Sequence, residues 1–258
     1  MKAQGKVYLI GAGPGAVDLM TLRAVNMLKD ADVVVYDRLV SPEILALAPV
    51  AAHMVPVGKA PKCHTVPQEQ INEILYELAC DGQIVARLKG GDPLIFGRGS
   101  EEAAYLGERG IAVEYAPGIT AAQGMAASFG VPLTHRGLAT GVRYVTGHRA
   151  GDARLDLDWK SLACEDTTLV IYMGAANIAE IALNLMREGL PGKMPVLAVS
   201  NATTPREAVL LSRLDRIGLD IAATPVRAPV LFVVGHVVSL WRGASTLPLD
   251  PPQVMVGE

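Results

Sequence analysis

The chain has 258 residues, half of them apolar and 19% charged, with a formal net charge of −3 at pH 7. That composition excludes a disordered chain and leaves room for one large or two ordinary domains. The negative balance argues against a general nucleic-acid binder, which carries a basic excess.

In chain order, the first half reads as strand then helix, repeated. "KVYLI" is a continuous apolar run suited to a strand buried on both faces, and Asp18 is placed to cap a helix running to about Lys29. "DVVVYD" reads as the second strand, and "SPEILALA" opens a helix with a Ser cap and a Pro at its first position. A helix over "VPQEQINEILYELACDG", the strand "QIVARL", a helix over "SEEAAYLGERG" and the strand "IAVEYA" follow. Such alternation predicts a parallel sheet covered by helices.

Around Pro117 the character shifts. "PGITAAQGMAASFGVPL" reads as a small-residue helix between two halves. After it come strands at "VRYVTG", "TTLVIYMG", "PVLAVSN", "AVLLSR" and "PVLFVVG". Some leave no room for a crossover helix, so the second sheet should be mixed. The expected organisation is an N-terminal α/β domain over 1–116 and a C-terminal α/β domain over 117–243. A loose tail is expected over 244–258, where prolines recur without a period.

Cys63, Cys80 and Cys164 are scattered and odd in number, and no Cys/His spacing suits a metal, so neither a disulfide framework nor a metal site is expected. No apolar run of membrane-spanning length occurs and no leader precedes Lys6, so a cytoplasmic protein without a membrane partner is expected.

Four glycine-rich loops follow predicted strands: "GAGPG", "LKGGDP", "PGITAA" and "YMGA". In open α/β sheets, ligands bind beyond the carboxyl ends of the strands, and paired glycines let backbone approach them. For any one loop an ordinary turn explains the glycines equally well; their joint position at strand ends is harder to dismiss. The first loop also satisfies G-x-G-x-x-A over Gly11, Gly13 and Ala16, with Asp37 about 20 residues on. A dinucleotide-dependent oxidoreductase is therefore the alternative function. Two stretches, 44–68 and 116–151, contain no acid but hold His53, Lys59, Lys62 and His64 in one and His135, Arg136, Arg143, His148 and Arg149 in the other. They suit a polyanionic small molecule, although solvated loops would look the same. Arg98 and Glu101 stand three apart at a helix start and border the "KGGDP" loop.

The ordered set "VYLIGAGPG", "ADVVVYDRLV", "RLKGGDPLIFGRGSEE", "APGITAA", "PLTHRG", "TGH" and "TLVIYMG" closely resembles uroporphyrinogen-III C-methyltransferases, from about residue 5 to 243. These are S-adenosylmethionine (SAM)-dependent tetrapyrrole methylases. The resemblance implies two α/β domains with an inter-domain cleft, a homodimer, and no metal. It also implies transfer of methyl groups from two SAM molecules to C2 and C7 of uroporphyrinogen III. The products are precorrin-2, which feeds sirohaem, cobalamin or haem d1, and S-adenosylhomocysteine (SAH). Fusion to a dehydrogenase and ferrochelatase module, found in some members, is not expected from a chain that opens on the methylase motifs.

By the same resemblance, Pro14, Gly90, Gly91, Asp92, Ile95, Thr120, Ala121, Met173 and Ala202 hold the donor, with backbone near Pro229 to Leu231. Arg136, His148 and Arg149 hold the polycarboxylate substrate, with Lys59 a further candidate for that role. The base is either Arg98, with Glu101 beside it, or Asp37 with Lys59 as its proton-donating counterpart. An arginine is a poor base because its pKa exceeds about 12, so Asp37 is chemically the easier choice and Arg98 the easier anchor.

Overall fold

The computed structural model describes residues 4–58, 66–148, 155–224 and 226–243, with the backbone of Val254–Val256. The fold is mixed α/β with two sheets, and the chain divides into two compact units, Met1–Ala121 and Ala122–Glu258.

The first unit is built on β1 (Lys6–Gly11), β2 (Val33–Tyr36), β3 (His53–Pro56), β4 (Ile84–Lys89) and β5 (Ala112–Ala116), in the order β3-β2-β4-β1-β5. Every pairing is parallel. Alternate side chains of each strand bury to opposite faces. Tyr8, Ile10, Val34, Ala86 and Leu88 pack with α1 (Leu22–Lys29) and α2 (Pro42–Leu45). Val7, Leu9, Val33, Val35 and Val85 pack with α3 (Gln68–Cys80) and α4 (Gly99–Gly107).

Helix α1 starts later than the sequence suggests. Thr21 caps it, accepting from Ala24 N at 3.1 Å, while Asp18 sits in a separate 3-10 turn, Val17–Leu19. A threonine oxygen aimed at the exposed amides of the first turn wins over the upstream aspartate. Strand β3, one of the two edge strands, was not expected: it has four residues, His53 and Pro56 at its ends are exposed, and no apolar run marks it.

The second unit holds β6 (Gly141–Thr146), β7 (Thr167–Tyr172), β8 (Pro195–Ser200), β9 (Ala208–Arg213), β10 (Val230–Val234) and β11 (Val254–Val256), in the order β11-β9-β8-β10-β7-β6. The sheet is mixed as expected: β6 and β7 are parallel, and β10 runs antiparallel to both β7 and β8. Helices α5 (Ala121–Phe129), α6 (Trp159–Leu162), α7 (Ile178–Arg187) and α8 (Ile217–Ala223) complete the described helices. Leu169, Ile171, Val196, Ala198, Leu210 and Phe232 form one core with Ile178, Ile181, Leu185 and Ile217.

The expected loose tail needs correction over residues 254–256. They form a strand paired antiparallel with β9, Val254 opposite Leu210. A Val-Met-Val triplet beside an otherwise open sheet edge has both the propensity and the unpaired backbone for this.

Candidate functional site

In the first unit all strands point the same way, so the segments that follow them gather along one edge of the sheet. After β1 comes the Gly11–Gly15 loop, after β2 Asp37, after β4 the Gly90–Arg98 loop, and after β5 the Pro117–Ala121 segment. These segments touch through backbone. Gly91 N donates to Gly13 O at 2.7 Å and Gly13 N to Gly91 O at 3.2 Å. A Cβ on Gly118 would lie 2.1 Å from Gly91 O and 2.9 Å from the Cα of Gly11. A Cβ on Gly11 would lie 2.5 Å from Gly118 N. Only glycine permits this three-way crossing. A Cβ on Gly91 would meet nothing within 4 Å, but its φ of +70° is the left-handed region. Pro14, Gly90 and Gly91 are half-buried, Thr120 is buried, and Ile95 is exposed.

Asp92 is a clamp. Its Oδ2 accepts from Gly118 N at 2.9 Å and its Oδ1 from Leu94 N at 2.8 Å, tying the β4 loop to the β5 loop. Two amides leave part of a carboxylate's acceptor capacity open.

Asp37 and Arg98 stand in different electrostatic settings. The Arg98 guanidinium is bidentate on Glu101, Nε to Oε1 at 2.9 Å and Nη2 to Oε2 at 2.7 Å, on the solvent side. That pairing draws the Glu101 carboxyl below its ordinary value and raises Arg98 further above its own. Asp37 instead meets buried cations. Its Oδ1 lies 2.7 Å from Arg87 Nη2, and its Oδ2 lies 4.0 Å from Lys89 Nζ. Arg87 and Lys89 also converge on the fully buried Glu102 Oε1, at 3.2 and 2.7 Å, where Gln68 Nε2 joins them at 3.1 Å. Burial and the neighbouring Arg87 push the Lys89 ammonium below the ordinary lysine value, with Glu102 and Asp37 opposing them.

Arg87, Lys89 and Glu102 were absent from the residues singled out in the sequence. The signal was two cations, two apart, in the buried strand "IVARLK", which period-2 alternation places on one face.

In the second unit, β6, β7 and β8 are mutually parallel and β10 opposes them. One edge therefore collects the ends of those three and the start of β10. Gly147–His148, Met173, Asn201–Ala202 and Pro229–Leu231 lie along it. Met173 is half exposed and holds a φ of +55°; Asn201 and Thr203 hold +49° and +64°. Asn201 N donates to Pro229 O at 3.0 Å, and Gly147 N to Tyr172 O at 2.7 Å. The described non-glycine residues with positive φ are Phe96, Arg98, Met173, Asn201 and Thr203, all in loops after β4, β7 or β8. Strained backbone of this kind costs on the order of 1–3 kcal/mol each and clusters where a ligand or catalyst needs it.

Several expected residues are not brought together. Arg136 is exposed in a turn before β6, whereas His148 follows that strand, about 20 Å further along. His53 opens β3 and so lies at the opposite edge from Asp37. Arg143 is engaged by Ser161, at 2.6 Å to its carbonyl and 2.9 Å to its hydroxyl. Lys59, Lys62, His64 and Arg149 lie outside the described residues.

A dinucleotide site fits poorly. The first glycine loop runs into a 3-10 turn, and α1 begins only at Leu22, so no helix start faces the loop for a pyrophosphate. The sheet order also differs from the 3-2-1-4-5-6 arrangement of that fold.

The family model for tetrapyrrole (corrin/porphyrin) methylases matches residues 6–218. The chain belongs to the tetrapyrrole methylases. A uroporphyrinogen-III C-methyltransferase of Paracoccus denitrificans is 61% identical over 92% of the chain and 82% of the relative. A siroheme synthase of Hahella chejuensis is 46% identical over 93% of the chain, which spans only 51% of that longer protein. Among solved structures, the uroporphyrin-III C-methyl transferase of Thermus thermophilus complexed with S-adenyl homocysteine is 42% identical. It matches with a TM-score of 0.79 over 92% of this chain and all of its own. The two-sheet fold found here is thus the tetrapyrrole methylase fold.

Proposed function

We propose that the chain is a SAM-dependent C-methyltransferase that methylates uroporphyrinogen III at C2 and C7, giving precorrin-2 and SAH. The observation that carries this reading is the 61% identity to the Paracoccus uroporphyrinogen-III C-methyltransferase across 92% of the chain.

The residues fit such a donor. A zwitterionic nucleoside needs close approach to backbone, and the Gly11, Gly91 and Gly118 crossing keeps side chains off this part of the sheet edge. Pro14, Gly90, Gly91, Asp92, Ile95, Thr120 and Ala121 of the first unit are the donor contacts in this reading, with Met173, Ala202 and Pro229–Leu231 of the second. When bound, the donor supplies an electrophilic sulfonium methyl group, which a pyrrole carbon takes as the sulfur–carbon bond breaks.

The chain's own residues then have two tasks. One is alignment. The other is removal of the proton that the porphyrinogen loses. Asp37 is assigned as the base, because a carboxylate held at the sheet edge and one-third exposed can reach a substrate proton. Arg98, kept fully charged by Glu101, is assigned as an anchor for a substrate carboxylate, with His148 as a second. Arg136 is left out of that set, because β6 separates it from His148.

A homodimer in the cytoplasm completes the proposal. The exposed apolar run Leu94, Ile95 and Phe96 and the free exposed thiols of Cys80 and Cys164 support those two points. Among the described residues no helix is long and apolar enough to cross a membrane.

Incubation with uroporphyrinogen III and methyl-labelled SAM is the test. Two labelled methyl groups on the recovered tetrapyrrole are expected. Unmodified tetrapyrrole, from protein that binds SAH, would overturn the substrate assignment.

A further inference from the structure

We propose that Arg87 is a positioning residue: its guanidinium, wedged between Glu102 and Asp37, holds Asp37 by Oδ1 and leaves Oδ2, 4.0 Å from Lys89 Nζ, to take the substrate proton. The inference rests on the reading of Asp37 as the base.

The geometry is that of a bridge. Arg87 Nε is 3.2 Å from Glu102 Oε1 and Arg87 Nη2 is 2.7 Å from Asp37 Oδ1. A planar guanidinium presents those two donors at a fixed angle, so the position of Glu102 dictates where Asp37 is held. Asp37 is fixed from its backbone as well. Val35 stands opposite Arg87 in the β2–β4 register, and Asp37 N donates to Leu88 O at 3.2 Å.

Burial gives the cluster one outlet. The side chains of Arg87, Lys89 and Glu102 are exposed by 2%, 4% and 0%, whereas Asp37 is exposed by 32%. Around the cluster stand neutral Gln68 of α3, itself bonded to Asn72, the Val35 carbonyl that accepts from Arg87 Nη1 at 3.5 Å, Glu101 of α4, whose carboxyl feels Lys89, and Arg98, which feels Glu102.

Stability alone does not call for this cluster. Buried ion clusters can be replaced by well-packed apolar residues without loss, and Ile84, Val85, Ala86 and Leu88 show that β4 takes them. The network also carries a cost. Three donors crowd Glu102 Oε1, while Oε2 has no hydrogen-bond partner among the described residues. Its place at the carboxyl edge, next to Gly90–Asp92, is where a ligand would profit from a carboxylate held still.

Arg87→Lys keeps the charge and removes the bridge. It is expected to lower kcat about tenfold or more, with SAH affinity within about twofold of wild type. The same change in an Asp37→Asn background is expected to add less than about twofold. Wild-type kcat in a folded, SAH-binding Arg87→Lys protein would overturn the inference, as would losses that multiply fully. If Arg87→Lys does not fold, Glu102→Gln stands in. A severalfold loss of kcat that vanishes beside Asp37→Asn supports the bridge, and an unchanged kcat overturns it. Should Asp37→Asn itself keep wild-type turnover, the assignment of the base fails. The bridge is then read from the Asp37 carboxyl signal by carbon NMR: broadening in Arg87→Lys supports it, and an unchanged line rejects it.

Discussion

The two units build their strand-end edges by different means. In the first unit the loops after β1, β4 and β5 cross through glycine backbone, and three sealed charged side chains lie beneath them. In the second, Met173, Asn201 and Thr203 hold left-handed backbone above an apolar core. The charge buried in the described part of the second unit lies elsewhere. Asp220 meets Ser212 at 2.6 Å, and Ser212 stands opposite Val196, at the far end of β8 from Asn201. Both edges carry left-handed backbone, at Phe96 and Arg98 in the first unit, and both carry a close glycine approach, Gly147 against Gly174 in the second, so buried charge at the edge is what separates them. The proposed base, Asp37, belongs to the edge that carries the buried charge.

That division can be broken most sharply at Gly118. Gly118→Ala drives a Cβ into backbone atoms that cannot yield, and SAH affinity by calorimetry is expected to fall at least about a hundredfold, with several kcal/mol of stability. Gly91→Ala, whose Cβ meets open space, is expected to cost only about 1–2 kcal/mol, through its φ. Retained affinity in both would leave the crossing without a role. Arg98→Ala comes next: turnover at saturating substrate is expected to drop about a hundredfold while SAH binding survives. Near wild-type turnover would remove Arg98 from the reading.

The charged cluster is tested by denaturation. Arg87→Met removes one of the two cations on the buried Glu102, leaving Lys89 Nζ at 2.7 Å and Gln68 Nε2 at 3.1 Å, and is expected to cost about 1–3 kcal/mol. The exposed pair Arg213–Asp215 gives the contrast: Arg213→Met should cost about 0–1 kcal/mol. In the second unit, Met173→Gly relieves the backbone. It is expected to stabilise the fold by about 1 kcal/mol while weakening SAH binding, and tighter binding would contradict donor contact there.

The smallest effect concerns Lys89. Carbon NMR of its Cε should show deprotonation at lower pH than for an ordinary lysine. Between that depressed value and the ordinary one the unfolded chain binds the extra proton, so Lys89's contribution to stability rises with pH across this window. Titration at or above the ordinary lysine value would contradict the dominance of burial and Arg87 over the opposing Glu102 and Asp37.

Much of the fold was legible because burial and period coincide. Strand β1 is an unbroken apolar run, and Ser41–Pro42 gives a cap followed by a first-turn proline, as found. Edge strand β3 was not legible, because its four residues, His-Met-Val-Pro, are too few for a period and end on a proline. The helical spacing of Ile178, Ile181, Ala182 and Leu185 in α7 was present but overshadowed by the apolar runs of β7 and β8 on either side. For the site, glycine loops marked the edge, yet which glycine requires to be glycine depends on distances no motif records. The Arg87 and Lys89 pair shows the same limit: its meaning depends on Glu102 and Asp37, which arrive from α4 and from the end of β2.

The most direct measurement is a crystal structure of the protein with SAH bound. Under the proposed function the ligand is expected against the backbone of Gly90–Asp92, with Asp37 Oδ2 left open to substrate. A ligand lodged away from that loop would contradict it.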